Sequence, residues 1–536
     1  MTLVKNKIFH TPQGRNIKEY QESNALYVSS YGDDNATISR ADRLGKPWKA
    51  YLTITEAVAA AVVGDLIVVF PGDYTDYNIL KNGVDYYFYP GASIVATGKI
   101  FEILLGDSKN CNIYGRGNFK SSNSVVNFVD SNSTIYMEFD KLETTNEITV
   151  LCAGVKATFI GDSILSSGTA WYNILITGAS VIYMHARIYK STSSYSPYAH
   201  VLFFRDGATN FTGKATIIAT DGFYGTTAAA SITTIFFQRC TDTSRIEIVG
   251  NVYAYGGNPA IWIDEAIVKL TGNIIHAGTG PGIYIRNWIG GFNPIMDMTG
   301  DISTTTGNTI QNDRPTATVH FNGQMSKTGT DHMMSLSNGI IHLYANMKIN
   351  TYLRITGGTL FVHKSIKNLN TTLYTSQSCI HYNGGTIYLL AGSKLVTSNP
   401  EANALQTSAL RNIKIESVYT NDIKGLLEPQ KRKDQVTITG GASVTSTVTV
   451  NGVAYSSSVA AESDRATAIA AAIQAGQPVT ASSVGAIITI EANVAGTNYT
   501  LVATTNCTLT QIRSNKFTIT NLIAGGTILE DTLIDT

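Results

Sequence analysis

Four segments of the chain carry the same alternation of apolar and polar residues in one register. They are Arg245-Ile-Glu-Ile-Val-Gly-Asn-Val252, Ile267-Val-Lys-Leu-Thr-Gly-Asn-Ile274, Ile295-Met-Asp-Met-Thr-Gly-Asp-Ile302 and Thr318-Val-His-Phe-Asn-Gly-Gln-Met325. Their glycines, Gly250, Gly272, Gly300 and Gly323, recur at spacings of 22, 28 and 23 residues. Apolar residues stand two places before each glycine (Ile248, Leu270, Met298, Phe321) and four places before (Ile246, Val268, Met296, Val319). The residue between them is polar: Glu247, Lys269, Asp297, His320. A period of two belongs to a strand with one buried face. Its return every twenty-odd residues predicts that each strand lies on its counterpart in the next turn of a coil. The expected fold is all-β, a parallel β-solenoid. Asn251, Asn273, Asp301 and Gln324 follow the glycines, and their side chains are expected to bond from rung to rung at the turn.

Strand-sized apolar runs divided by Gly, Asn, Ser and Thr extend from about residue 65 to 425, including Ile135–Phe139, Val201–Phe204, Ile340–Tyr344 and Thr386–Leu390. At about 24 residues a turn, this stretch predicts about 15 turns. An alanine-rich helix over Thr55–Val63 is placed to cover the apolar end of the first rung. The coil is assigned to residues 49–426. Residues 1–48 read as an irregular attachment segment, and Gly32-Asp33-Asp34-Asn35 as a turn with too few ligands for calcium. Residues 427–434 read as a linker whose basic triplet, Lys431-Arg432-Lys433, is solvated. Residues 435–512 form a small α+β module. It has a hairpin turned at Asn451-Gly452, a helix capped by Ser463-Asp464 and ended by Gly476 and Pro478, and further strands. The tail, 513–536, holds a short strand that needs a partner, such as another copy of the chain.

Charged residues make up 15% of the chain and balance at 39 basic to 39 acidic. The usual share is about 25%. No basic excess points to a nucleic-acid partner. The five cysteines are widely separated and lack CxxC spacing, which speaks against a disulfide framework or a zinc site. No apolar run approaches the ~18 residues of a membrane span. No apolar stretch follows Met1-Thr-Leu-Val-Lys-Asn-Lys7 as a secretory signal would require.

Ala57–Ala61 followed by Gly64-Asp-Leu-Ile-Val-Val-Phe-Pro-Gly-Asp-Tyr74 resembles the entry to pectin-lyase-like right-handed parallel β-helices, common in bacteriophage tail spikes and fibres. Val450-Asn-Gly-Val-Ala-Tyr455, the alanine helix and Ala495-Gly-Thr-Asn-Tyr-Thr500 resemble small domains that recur in phage tail and other virion proteins. Together these likenesses span residues 50–510 loosely. They imply a structural virion protein, a homotrimeric tail fibre or spike joined to other virion proteins and contacting a host-surface glycan. Such a protein is made in the host cytoplasm and carries no cofactor. A polysaccharide depolymerase spike and a head or collar fibre docked by residues 435–536 are the rival readings.

The residues themselves offer no catalytic set, so a non-enzymatic role is expected; a catalytic one would be glycoside hydrolysis or polysaccharide lysis. The Gly-His-Gly of pectin-degrading relatives is absent. Asp264-Glu265 is the nearest carboxylate cluster, but neighbours in a strand face opposite sides. Asp297 lies two rungs from Glu247 with Lys269 between them, which reads as a surface charge ladder; His320 extends it. His342, His363 and His381 sit in strand-like runs without ligand spacing, so no metal is assigned. Tyr195, Tyr198, Tyr253 and Tyr255 are loop candidates for glycan contact, since tyrosine pairs an apolar face with a wet hydroxyl.

Overall fold

The computed structural model describes residues 24–167, 172–190, 199–204, 210–225, 232–287, 293–370, 379–390, 393, 395–398, 405–407, 411–415, 431–442, 444–494, 499–503, 506–513 and 529–533. It is a parallel β-solenoid of about 12 turns, with 52% strand and 7% helix. The chain divides into two compact units, residues 1–320 and 321–536.

In the first unit the coil starts earlier than the sequence suggested. Ala25–Val28 is not irregular: it pairs in parallel with Leu66–Val69, which pairs with Asp85–Phe88. The Gly32 turn is pressed so close to the Tyr51 carbonyl that a Cβ would clash. Asp34 accepts from Leu52 N–H, Thr53 N–H and the Thr53 hydroxyl, so its carboxylate is taken up by the protein's own donors. Thr53 caps the helix Ile54–Ala60, which buries Ile54 and Ala57.

Parallel pairing then runs without interruption through Asn110–Gly115, Thr134–Thr144, Lys156–Ser166, Val181–Lys190, Lys214–Gly225, Arg245–Val249, Ile267–Thr271 and Ile295–Thr299. Glu247 lies opposite Lys269, and Lys269 opposite Asp297, as the alternation required. Ile246, Ile248, Val268, Leu270, Met296 and Met298 fill the interior. Asn251 Oδ1 accepts from Asn273 N–H at 2.9 Å, and Asn273 Oδ1 from Asp301 N–H at 2.8 Å. The turns are fewer than the expected 15, and they are uneven: those from Val181 to Lys214 and from Lys214 to Arg245 are longer than the one from Arg245 to Ile267.

In the second unit, Ile340–Leu343, Leu353–Val362 and Ile380–Leu389 stack in the same parallel manner. The α+β module packs the helix Glu462–Gly476 over a core that includes Val436, Ile438, Val448, Ile469, Ile473 and Ile490. Its hairpin turns at Asn451 and Gly452, with φ of 50° and 80°, the two positive values of a type I′ turn. The helix cap differs from the sequence reading: the N-cap is Ala461, with no side-chain capping bond. The basic triplet is not a solvated loop. Lys433 opens the strand Lys433–Ile438, and Arg432 is buried, bonded to Asp434 at 2.8 Å and laid over the Tyr499 ring. The short terminal strand Leu529–Leu533 finds its partner within its own chain, pairing antiparallel with Arg411–Ile415.

Candidate functional site

The sequence-derived candidates fall into three groups. Asp264 and Glu265 lie just beyond the strand Ile261–Ile263, in a bend rather than in a strand, and both are buried. Asp264 accepts from Arg286 Nε at 2.9 Å and from Trp262 Nε1 at 3.0 Å, while Arg314 stands 3.7 Å from Glu265. Burial raises the Asp264 carboxyl above the usual range, against the pull of Arg286. This pair knits consecutive turns together, out of reach of a substrate. Asp297 is exposed on the charge ladder, where Lys269 donates to Glu247 at 2.9 Å. His320 is half-exposed on the strand Thr318–Asn322, which joins the same sheet through Thr318 N–H to the Pro294 carbonyl. Tyr253 lies in the strand Val252–Ala254 rather than in a loop, and Tyr224 stacks on it at 4.5 Å and 4°. Tyr255 is 37% exposed. Tyr195 and Tyr198 lie outside the described residues.

A further concavity lies elsewhere, on the outer face of the first unit. It is a groove of about 440 Å³ that crosses the rungs from Gly115 to Asp221. Its walls are long strands that turn a corner of the coil without leaving the sheet. Register slips mark the corner between Ile160 and Ser163 and between Ala186 and Ile188. Gly161 is required here, since a Cβ would stand 2.2 Å from the Phe139 ring.

Strand alternation then fixes what faces the groove. Met137, Phe159 and Met184 point into the core, so Glu138, Ile160 and His185 stack as the outward floor. Glu138 is held by Gly115 N–H at 3.1 Å and by the Tyr136 hydroxyl at 2.7 Å. Arg187 and Asp221 form an ion pair at the wall.

Next to this floor, Phe139 pairs with Gly161 and Lys141 with Ser163, which sets Asp140 and Asp162 on consecutive rungs, ~4.8 Å apart along the coil. Asp162 is exposed and lines the groove. Asp140 is half-buried, with Oδ1 shielded from solvent and lacking a hydrogen bond. Arg116 Nε is 3.7 Å from it. Burial raises the Asp140 carboxyl; Arg116 opposes the rise, and the like charge of Asp162 adds to it. A half-buried carboxyl that burial disposes to keep its proton therefore stands one rung from an exposed one, the kind of difference in environment by which acid and base roles are divided.

The signal for this pair was present in the sequence. Thr134-Ile-Tyr-Met-Glu-Phe-Asp140 and Lys156-Ala-Thr-Phe-Ile-Gly-Asp162 share the alternation of the glycine column; the second also has its glycine and acid, as Gly161-Asp162, while the first has Phe139 in the glycine's place. Among the described residues, no group of three or more His, Cys, Asp or Glu side chains is disposed to hold a metal ion, and no helix is long and apolar enough to cross a membrane. No family model, curated protein or solved structure matches the chain.

Proposed function

We propose that this chain is a bacteriophage virion protein of the tail fibre or tail spike kind, whose coil grips host-surface polysaccharide in the groove between Gly115 and Asp221. The groove carries this reading. Its volume lies within the ~300–1,000 Å³ of small-ligand sites. Its lining of Arg116, Glu138, Asp162, His185 and Arg187 offers donors and acceptors of both signs to a hydroxyl-rich chain. The test is retention of the purified protein on immobilised capsular and O-antigen polysaccharides. Arg187→Ala and Asp162→Ala are expected to weaken retention; binding that neither change affects would take the groove out of the argument.

A second reading, cleavage of that polysaccharide, is favoured by Asp140 and Asp162. Asp140 would protonate the glycosidic oxygen. Asp162 would attack the anomeric carbon, and water, deprotonated by Asp140, would release the sugar from the enzyme. Carboxyls about 5–5.5 Å apart belong to retaining glycosidases, and wider pairs to inverting ones. Adjacent rungs match the shorter spacing, so the product is expected to keep its anomeric configuration. New reducing ends that vanish in Asp140→Asn and Asp162→Asn support cleavage; an unchanged polymer leaves a binding role alone. Gold labelling of the C-terminus in intact particles separates a tail appendage from a head or collar fibre, and light scattering measures the proposed trimer.

A further inference from the structure

We infer that His342 and His363 form a binding site for a divalent transition-metal ion. The site belongs to the second unit, the groove to the first, and it does not depend on the glycan reading. His342 belongs to the strand Ile340–Leu343, and His363 directly follows Leu353–Val362. The two strands pair in parallel, with His342 opposite Phe361 and Leu343 opposite Val362. Ile341, Leu343 and Val362 point into the core, so the histidines project outward on adjoining rungs, each half-exposed. His342 Nδ1 and His363 Nε2 stand 3.0 Å apart.

Neighbouring rings hold this geometry. The His342 ring stacks on Phe361 at 4.4 Å and 4°, and His363 stacks on Tyr344 at 4.2 Å and 28°. Two imidazole nitrogens on stiff neighbouring strands are thus set at chelating distance before any ion arrives. With metal–nitrogen bonds of about 2.0–2.1 Å, a 3.0 Å spacing subtends roughly 91–97° at the metal. That is the angle between cis positions of a square-planar or octahedral ion, which suits Cu²⁺ and Ni²⁺. The tetrahedral angle of zinc, roughly 109°, is wider. The affinity order of divalent ions likewise puts copper first. Binding requires both facing nitrogens to present lone pairs. The proton shared between them moves to the far nitrogen of one ring, His342 Nε2 or His363 Nδ1, so two neutral imidazoles bind without net proton release. Water completes the coordination shell. The ion ties one rung to the next and stabilises the folded state by mass action.

The experiment uses the full chain without an affinity tag, titrated with CuSO4 or NiCl2. The expected result is one site per chain by calorimetry, a rise in melting temperature on metal addition, and loss of both in His342→Gln and His363→Gln. A site that survives the double variant, or no saturable site in the native protein, overturns the inference. Should the variants fail to fold, the copper spectrum of the native protein decides the matter. Hyperfine structure from at least two imidazole nitrogens upholds the site, and its absence overturns it.

Discussion

At the scale of single residues, the stacked turn depends on glycines such as Gly272. Its φ is +149°, and an added Cβ would stand 2.1 Å from the Gly250 carbonyl oxygen. Gly272→Ala is predicted to cost about 1–3 kcal/mol through backbone strain, and Asn273→Ala about 1 kcal/mol through its lost bond to Asp301 N–H; chemical unfolding measures both. Asp264 supplies a pH prediction. Burial raises its carboxyl above the ordinary value of about 3.9 despite Arg286. The folded chain then holds this proton more tightly than the unfolded chain. Its contribution to stability is therefore greatest at low pH and declines as pH rises from the ordinary value through the folded one. Asp264→Asn should be less stable overall, because Arg286 loses its charged partner, yet its melting temperature should fall less steeply as pH rises above the ordinary carboxyl value of about 3.9. A slope identical to that of the native chain would contradict this. The two cases also differ in how legible they were. Gly272 was readable because alternation and spacing repeat around it. Asp264-Glu265 was legible only as a weak candidate, because a bend after three strand residues leaves no mark in the pattern and strand alternation does not fix where these two side chains point.

At the scale of elements, the helix Glu462–Gly476 is moored by one buried side chain. Arg465 donates to the carbonyls of Gly440, Val459 and Ala460 at 2.7, 2.9 and 3.0 Å. Removing it takes the shared donor from three part-buried carbonyls and empties the buried place of its side chain. Arg465→Ala is predicted to cost about 2–4 kcal/mol, read as faster hydrogen exchange along this helix and the 440–441 loop. Lysine should restore only part of the loss, since an ammonium cannot reproduce the guanidinium fork. Equal exchange in Arg465→Ala and the native chain would remove the mooring role. The hairpin at Asn451-Gly452 was legible because turn chemistry is local. Arg432 was not: its burial depends on Tyr499 and Asp434, which only the folded module brings to it. The carboxylate pair beside the groove was only partly legible, for a related reason. Asp140 and Asp162 lie where strands bend through a corner, and the sequence there keeps its alternation but has no repeated turn signal to fix the register.

At the scale of the whole coil, stability should follow from each rung's contact with its two neighbours, which makes a whole rung removable. The turn comprising residues 134–155 tests this. Thr134 is stacked between Asn110 and Lys156, Lys141 between Asn118 and Ser163, and Val150 between Val126 and Ile174. Excising 134–155 joins Ser133 to Lys156 and lets all three faces close by one step in the same register, inward residues remaining inward. Lys156 N–H can then take the Lys109 carbonyl, which Thr134 N–H uses in the native chain. This variant is expected to express as a folded protein whose coil is shorter by ~4.8 Å. Removing only 134–144 takes the Thr134 and Lys141 faces from the rung and leaves the Val150 face, so no register satisfies all three, and this variant is expected to unfold locally and become protease-sensitive. The full excision also removes Glu138 and Asp140, and brings Asp162 into the place of Asp140 beside Arg116. It should therefore lose polysaccharide retention, and any cleavage, while keeping its fold. Circular dichroism, limited proteolysis and glycan retention on the same two variants separate the claims. Equal collapse of both deletions would refute stacking by independent rungs, whereas a folded full deletion that still retains polysaccharide would refute the groove.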